Sequence, residues 1–162
     1  MPPSASASLL ILATALGLPT RPLAGAVADL WLGPVNTFAA SVLLLGAAHF
    51  VWTAVASEAG LWAFAAFFGL ANGFAQGVWA GALAGVVGPA NRARLGTRFG
   101  MVCTLTAFAT LAGPPTASAL IQAAGGSYLG AQLWAGLVIC LGAGAVVVGR
   151  GLQVGWRFRV KV

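Results

Sequence analysis

Hydrophobic positions dominate the chain in long blocks, and polar positions are gathered between them. Five blocks are long enough to cross a bilayer, which takes about 20 apolar residues in a helix. They run over roughly 8–30, 37–56, 61–87, 99–123 and 129–148. The separators are short and turn-like: LGPVN (32–36), Ser57-Glu58 with Gly60, GPANRAR (88–94) and AGGSY (124–128). Gly17, Pro19 and Pro22 interrupt the first block, and Pro114-Pro115 the fourth, so both spans are expected to be broken or kinked there. The pattern predicts an all-α integral membrane protein of five transmembrane helices, with a partial membrane domain over 1–150 and a basic tail over 151–162.

Composition strengthens this. Of the 162 residues, 60% are apolar and 6% charged, against about 25% charged in ordinary soluble domains. The net charge of +6 does not indicate nucleic acid, because it is gathered at two places between and after apolar spans. Arg92, Arg94 and Arg98 precede the fourth span, and Arg150, Arg157, Arg159 and Lys161 follow the fifth. Positive residues flank the cytoplasmic ends of spans, so the 88–98 loop and the C-terminus are expected inside. Trp31 and Trp156 then fall near the inner interface and Trp62 and Tyr128 near the outer one.

Counting back through five spans leaves the N-terminus outside, with no obvious means of crossing first. A signal peptide ending near Ala26-Val27-Ala28 is one escape. It would leave four spans and carry Arg92, Arg94 and Arg98 outside, so parity argues against it. The expectation is a truncated C-terminal portion of a longer protein, or an incomplete gene product, whose missing N-terminal half or partner helices complete the structure. Spans one and four, each carrying a proline pair, suggest the repeated three-helix units of secondary transporters, with one helix missing before Ser8.

The third span carries glycine at 69, 73, 77, 81 and 85. Each costs roughly 1 kcal/mol relative to alanine in a water-exposed helix. In lipid, small residues let helix backbones touch, so the stripe predicts a packing face. Asn72, Gln76 and Trp79 lie on an adjacent face of the same helix. They are candidates to line a substrate path, although Asn72 and Gln76 are also suited to joining helices. Arg21 sits near mid-membrane, where an arginine costs about 2.5 to 3.5 kcal/mol. Its neighbours at helical spacing include Thr14, Gly17, Ala24 and Gly25, which leave room beside a guanidinium able to grip a carboxylate. The alternative is a structural arginine satisfied by a neighbouring helix. His49 is read as a hydrogen-bonded packing residue, and Cys103 and Cys140 as small buried groups with no disulfide or metal. No catalytic constellation, metal site or cofactor motif is read, so the chain is not expected to be an enzyme.

Several stretches resemble the major facilitator superfamily, in its monocarboxylate-transporter-like branch of fungal type. TRPLAGAVADLWLGPVN is similar to the eighth helix and following loop, AFFGLANG to the tenth helix, and RLGTRFGM with AGPPTASALI to the eleventh. YLGAQLWAG resembles the start of the twelfth. The resemblance implies helices 8–12 of a twelve-helix fold and a secondary transporter of small organic anions in the plasma membrane. It also implies that Arg21 binds the anion and that Asp29 belongs to the inward gate, although Leu30 stands where that motif carries a basic residue. Animal members carry an aspartate one turn before the arginine, where this chain has Gly17, which puts proton coupling in doubt. The competing expectation is a small non-transporting membrane protein whose glycine stripe binds partner helices.

Overall fold

The computed structural model describes residues 3–88 and 93–154. Arg92 and the basic residues beyond Arg150 lie outside them. Five long helices follow one another: α1 (Pro3–Val27), α2 (Pro34–Thr53), α3 (Glu58–Val87), α4 (Leu95–Ala123) and α5 (Leu129–Val154). All five are long and apolar enough to cross a membrane. The five-span, all-α expectation therefore holds, with boundaries displaced by a few residues.

Three local features add detail to the sequence reading. α1 runs unbroken through Gly17, Pro19 and Pro22, and α4 through Pro114 and Pro115. Proline's fixed φ is itself helical, and what it removes is one donor. Inside a membrane domain neighbouring groups can absorb that loss. The LGPVN turn also contracts to a single residue. A π-helical turn over Ala28–Leu32 closes with Gly33 N–H donating to the Ala28 carbonyl at 2.8 Å, and Pro34 opens α2 at once. Gly33 has φ +80°, a region that side chains avoid. Finally, α5 extends to Val154, so the first residues of the expected tail are helix.

α1 and α3 run parallel and touch backbone to backbone. A Cβ on Gly69 would lie 2.7 Å from the Ala13 Cα, one on Gly73 2.6 Å from the Gly17 Cα, and one on Gly77 2.8 Å from the Arg21 Cα. The register is constant over two turns, so three glycines of the stripe form one seam. Gly81 faces a different neighbour: its Cβ would stand 3.4 Å from Pro34 Cβ at the start of α2. Gly85 is half-buried one turn later. Backbone approach supplies the dispersion contacts and close packing that replace a hydrophobic drive in lipid.

α2 and α5 pack antiparallel. A Cβ on Gly46 would overlap the Cys140 sulfur, and one on Gly136 would come within 3.2 Å of Phe50 and His49. His49 behaves as expected. Its Nδ1 lies 2.8 Å from the Leu45 carbonyl oxygen and its ring meets Phe68 edge-on at 5.5 Å. Ser57 caps α3, accepting from the Gly60 N–H at 3.1 Å, and Glu58 in the first turn suits the helix dipole.

The core is narrow and made of small side chains. One cluster joins Ala24, Ala28 and Val78, and a second joins Leu45, Ala71 and Ala75. α4 has no buried residue. Its Leu105 and Leu111 are 70% and 73% exposed, a surface that requires lipid or further protein around it. Cys103 is exposed on this helix, contrary to the expectation of burial, whereas Cys140 is partly covered.

Candidate functional site

The parallel register of α1 and α3 decides which polar groups meet. Seating the Arg21 backbone on Gly77 brings the Arg21 side chain alongside position 76. Arg21 Nη2 donates to Gln76 Oε1 at 2.7 Å. Two residues read separately from the sequence, 55 positions apart, thus form one polar unit within the spans. A bond to a charged donor is short and strong, and in a low-dielectric setting it costs much to lose. It occupies one of the five N–H donors of the guanidinium. Both side chains lie on the exposed side of the seam, so the remaining donors are open to whatever covers that side.

The helix beneath Arg21 is held close by its neighbours. Thr20 is buried and donates to the Gly17 carbonyl at 2.9 Å. Gly17 is buried against α3, and a Cβ there would come within 3.2 Å of the Gly69 carbonyl oxygen and 3.6 Å of the Gly73 Cα. A side chain at position 17 would therefore have to widen the α1–α3 contact by a few tenths of an ångström.

Gln76 also borders a cavity of about 550 Å³ between α2, α3, α4 and α5. Its walls are apolar, with Phe38, Trp79, Val102 and Val146 prominent and Thr106 as the other polar residue. Trp79 lies 5.0 Å from Phe99 between ring centroids, tilted at 39°. A second hollow of about 450 Å³ lies along α4, between Trp79, Cys103, Thr106 and Thr110. The hydroxyls of Thr106 and Thr110 are bonded to the carbonyls one turn back, at 2.8 Å each, which lets them face an apolar or mixed environment at little cost.

Of the residues singled out from the sequence, Gln76 bonds to Arg21 and borders the cavity beside Trp79, while Arg21 does not line that cavity. Asn72 is half-buried on α3 and does not border the cavity. Asp29 lies apart, exposed on the π-helical turn at the end of α1. Thr106 and Phe38 were not singled out. Thr106 is one threonine among several in α4, and Phe38 one aromatic among many. Only the packing of α2 and α4 around α3 distinguishes them.

Two curated fungal proteins are similar to this chain. An MFS-type transporter of Gibberella zeae is 28% identical over 145 residues, covering 90% of this chain and 32% of the relative. The Aspyridones efflux protein apdF of Emericella nidulans is 29% identical over 118 residues, covering 73% of this chain and 23% of the relative. The chain spans about a third of the first relative's length and less of the second's. No family model matches it, and no solved structure does. Both relatives bear the names of transporters. The five membrane-length helices mark an integral membrane protein, and its sequence is similar to parts of these two transporters.

Proposed function

We propose that this chain forms part of the C-terminal half of a secondary transporter of organic anions, monocarboxylate-like, and acts together with an N-terminal half. The observation that carries this reading is the Arg21–Gln76 pair, a fixed cation inside an apolar span with donors left on the uncovered side. An arginine held there needs a counter-charge or water. A carboxylate entering between the two halves supplies both charge and planar geometry, two parallel N–H···O bonds. Gln76 holds the guanidinium in plane while the anion comes and goes. Rocking of the halves about this site gives alternating access. In this reading Asp29 contributes to the inward gate, the arginine-bearing ends face the cytoplasm, and the membrane is the plasma membrane.

A scaffold that binds partner helices through the glycine stripe is the competing reading. The seam it would offer at Gly69, Gly73 and Gly77 is taken up by α1 of the same chain, which favours the transporter. The test is uptake by the whole protein in liposomes. A labelled monocarboxylate should enter about ten times faster than its neutral amide, a discrimination of roughly 1.4 kcal/mol. Equal rates for the two would remove the anion-transport reading.

A further inference from the structure

Gln76 belongs to two places at once. It holds the Arg21 guanidinium at 2.7 Å, and it borders the cavity of about 550 Å³ between α2, α3, α4 and α5. Resting on the reading that Arg21 takes the carboxylate, we propose that this cavity receives the rest of the substrate: a bulky apolar body carrying an aromatic ring, with Trp79 and Val102 as the walls that set specificity. The substrate class is then an amphipathic organic acid rather than a short-chain one.

Three observations carry the proposal. The first is size. A cavity of about 550 Å³ falls within the range of roughly 300–1,000 Å³ that drug-sized ligands occupy, and a short-chain acid leaves most of it empty. The second is the walls. Phe38, Trp79 and Val102 present apolar surface, while Gln76 and Thr106 are the polar members. Ordered water needs several polar partners in such a space, so an apolar body fills it better than water does. Trp79 adds a ring face, steadied by its contact with Phe99 at 5.0 Å between centroids, and ring–ring contacts contribute beyond area alone. The third is the polarity of one end. A guanidinium only donates, so the Gln76 Oε1 faces Arg21, and the amide NH2 with its two N–H donors is what Gln76 keeps for a ligand. Thr106 has committed its proton to the Val102 carbonyl at 2.8 Å. The Gln76 end therefore suits a carboxylate oxygen, and the remaining walls suit hydrocarbon. A phospholipid tail matches the walls, but its phosphate stays at headgroup depth, whereas Gln76 lies about three turns inside the end of α3 at Val87.

The experiment measures uptake of labelled butyrate by the whole protein in liposomes, competed by unlabelled butyrate, 4-phenylbutyrate or 4-phenylbutyramide. At about a fourfold gain per buried methylene, the phenyl group should lower the inhibition constant at least thirtyfold relative to butyrate in wild type. Val102→Trp, which fills the cavity from α4, and Trp79→Ala, which removes its ring from α3, should each cut that ratio to about threefold or less. The two stand on different helices, so whichever folds gives the answer. Gly100→Ala, with nothing within 4 Å of the added methyl, should keep the wild-type ratio. Equal inhibition by the two acids in wild type overturns the proposal, and so does an unchanged ratio in Val102→Trp, which places the body elsewhere. A phospholipid retained by wild type in native mass spectrometry, lost in Val102→Trp and not displaced by saturating 4-phenylbutyrate would assign the cavity to an acyl chain and overturn it too. Inhibition by 4-phenylbutyramide equal to that of the acid is a different result: it removes the anion reading itself, and the inference with it.

Discussion

The Cα of Arg21 lies 2.8 Å from the point where a Cβ on Gly77 would stand. The absence of a side chain at 77 is therefore what lets Arg21 approach α3 and reach Gln76. Gly77→Ala must push α1 outward by several tenths of an ångström or more, and the 2.7 Å hydrogen bond lengthens with it. Uptake should fall about tenfold, mainly through a raised KM, because an anion's two-point grip depends on guanidinium placement. Gly100→Ala, with nothing within 4 Å of the added methyl, should leave uptake unchanged. Kinetics of the two variants side by side check this.

Stability should divide the glycines in the same way. A Cβ on Gly73 would meet the Gly17 backbone and the Thr20 hydroxyl, and backbone has nowhere to move without opening the seam. Gly73→Ala is expected to cost about 2 kcal/mol, in the range for overpacking. Gly100→Ala should be neutral, or stabilising by about 0.5 kcal/mol through lost chain entropy. Thermal unfolding in one detergent reads both.

Much of this architecture was legible in the sequence because lipid imposes a coarse rule: each span must be long, apolar and internally bonded. The five blocks, the glycine packing face and the solitary Arg21 follow from that rule. The partner of Arg21 did not, since a bond across 55 residues depends on how α1 slides along α3. The glycines permit several registers, and only backbone-to-backbone contact at Gly17, Gly69 and Gly73 selects one. The prolines break neither α1 nor α4, because proline's usual penalty is set against water and unpacked helices. Cys103 was expected to be buried because its neighbours are apolar, but an apolar span in lipid can be exposed on every side.

Gln76→Glu should separate fold from function. A carboxylate at 76 pairs with Arg21 as an ion pair at the distance now held by the amide, and removing it from substrate reach is the consequence. The variant should unfold at the same temperature or higher, yet lose most anion uptake, because the fork is already occupied. Paired uptake and unfolding measurements check it; unaltered uptake would mean that Gln76 stands outside the site.

The cysteines report on the hollow along α4. A small charged thiol reagent reaches only sulfurs that water reaches, since the thiolate is the reactive form. In the transporter reading the hollow beside Trp79, Thr106 and Thr110 holds water, so Cys103 should react with the reagent in liposomes and a transported anion should slow the reaction; a protected Cys103 would place that face of α4 against lipid. Cys140, packed on Gly46, should stay unreactive. Mass spectrometry of the labelled protein distinguishes them.

The most direct measurement compares wild type with Arg21→Gln and Arg21→Lys for uptake of a labelled monocarboxylate by the whole protein in liposomes. Arg21→Gln should reduce uptake at least a hundredfold. Arg21→Lys should recover part of it, because charge returns without the planar fork. Wild-type uptake by Arg21→Gln would show that the mid-membrane cation does not hold the substrate.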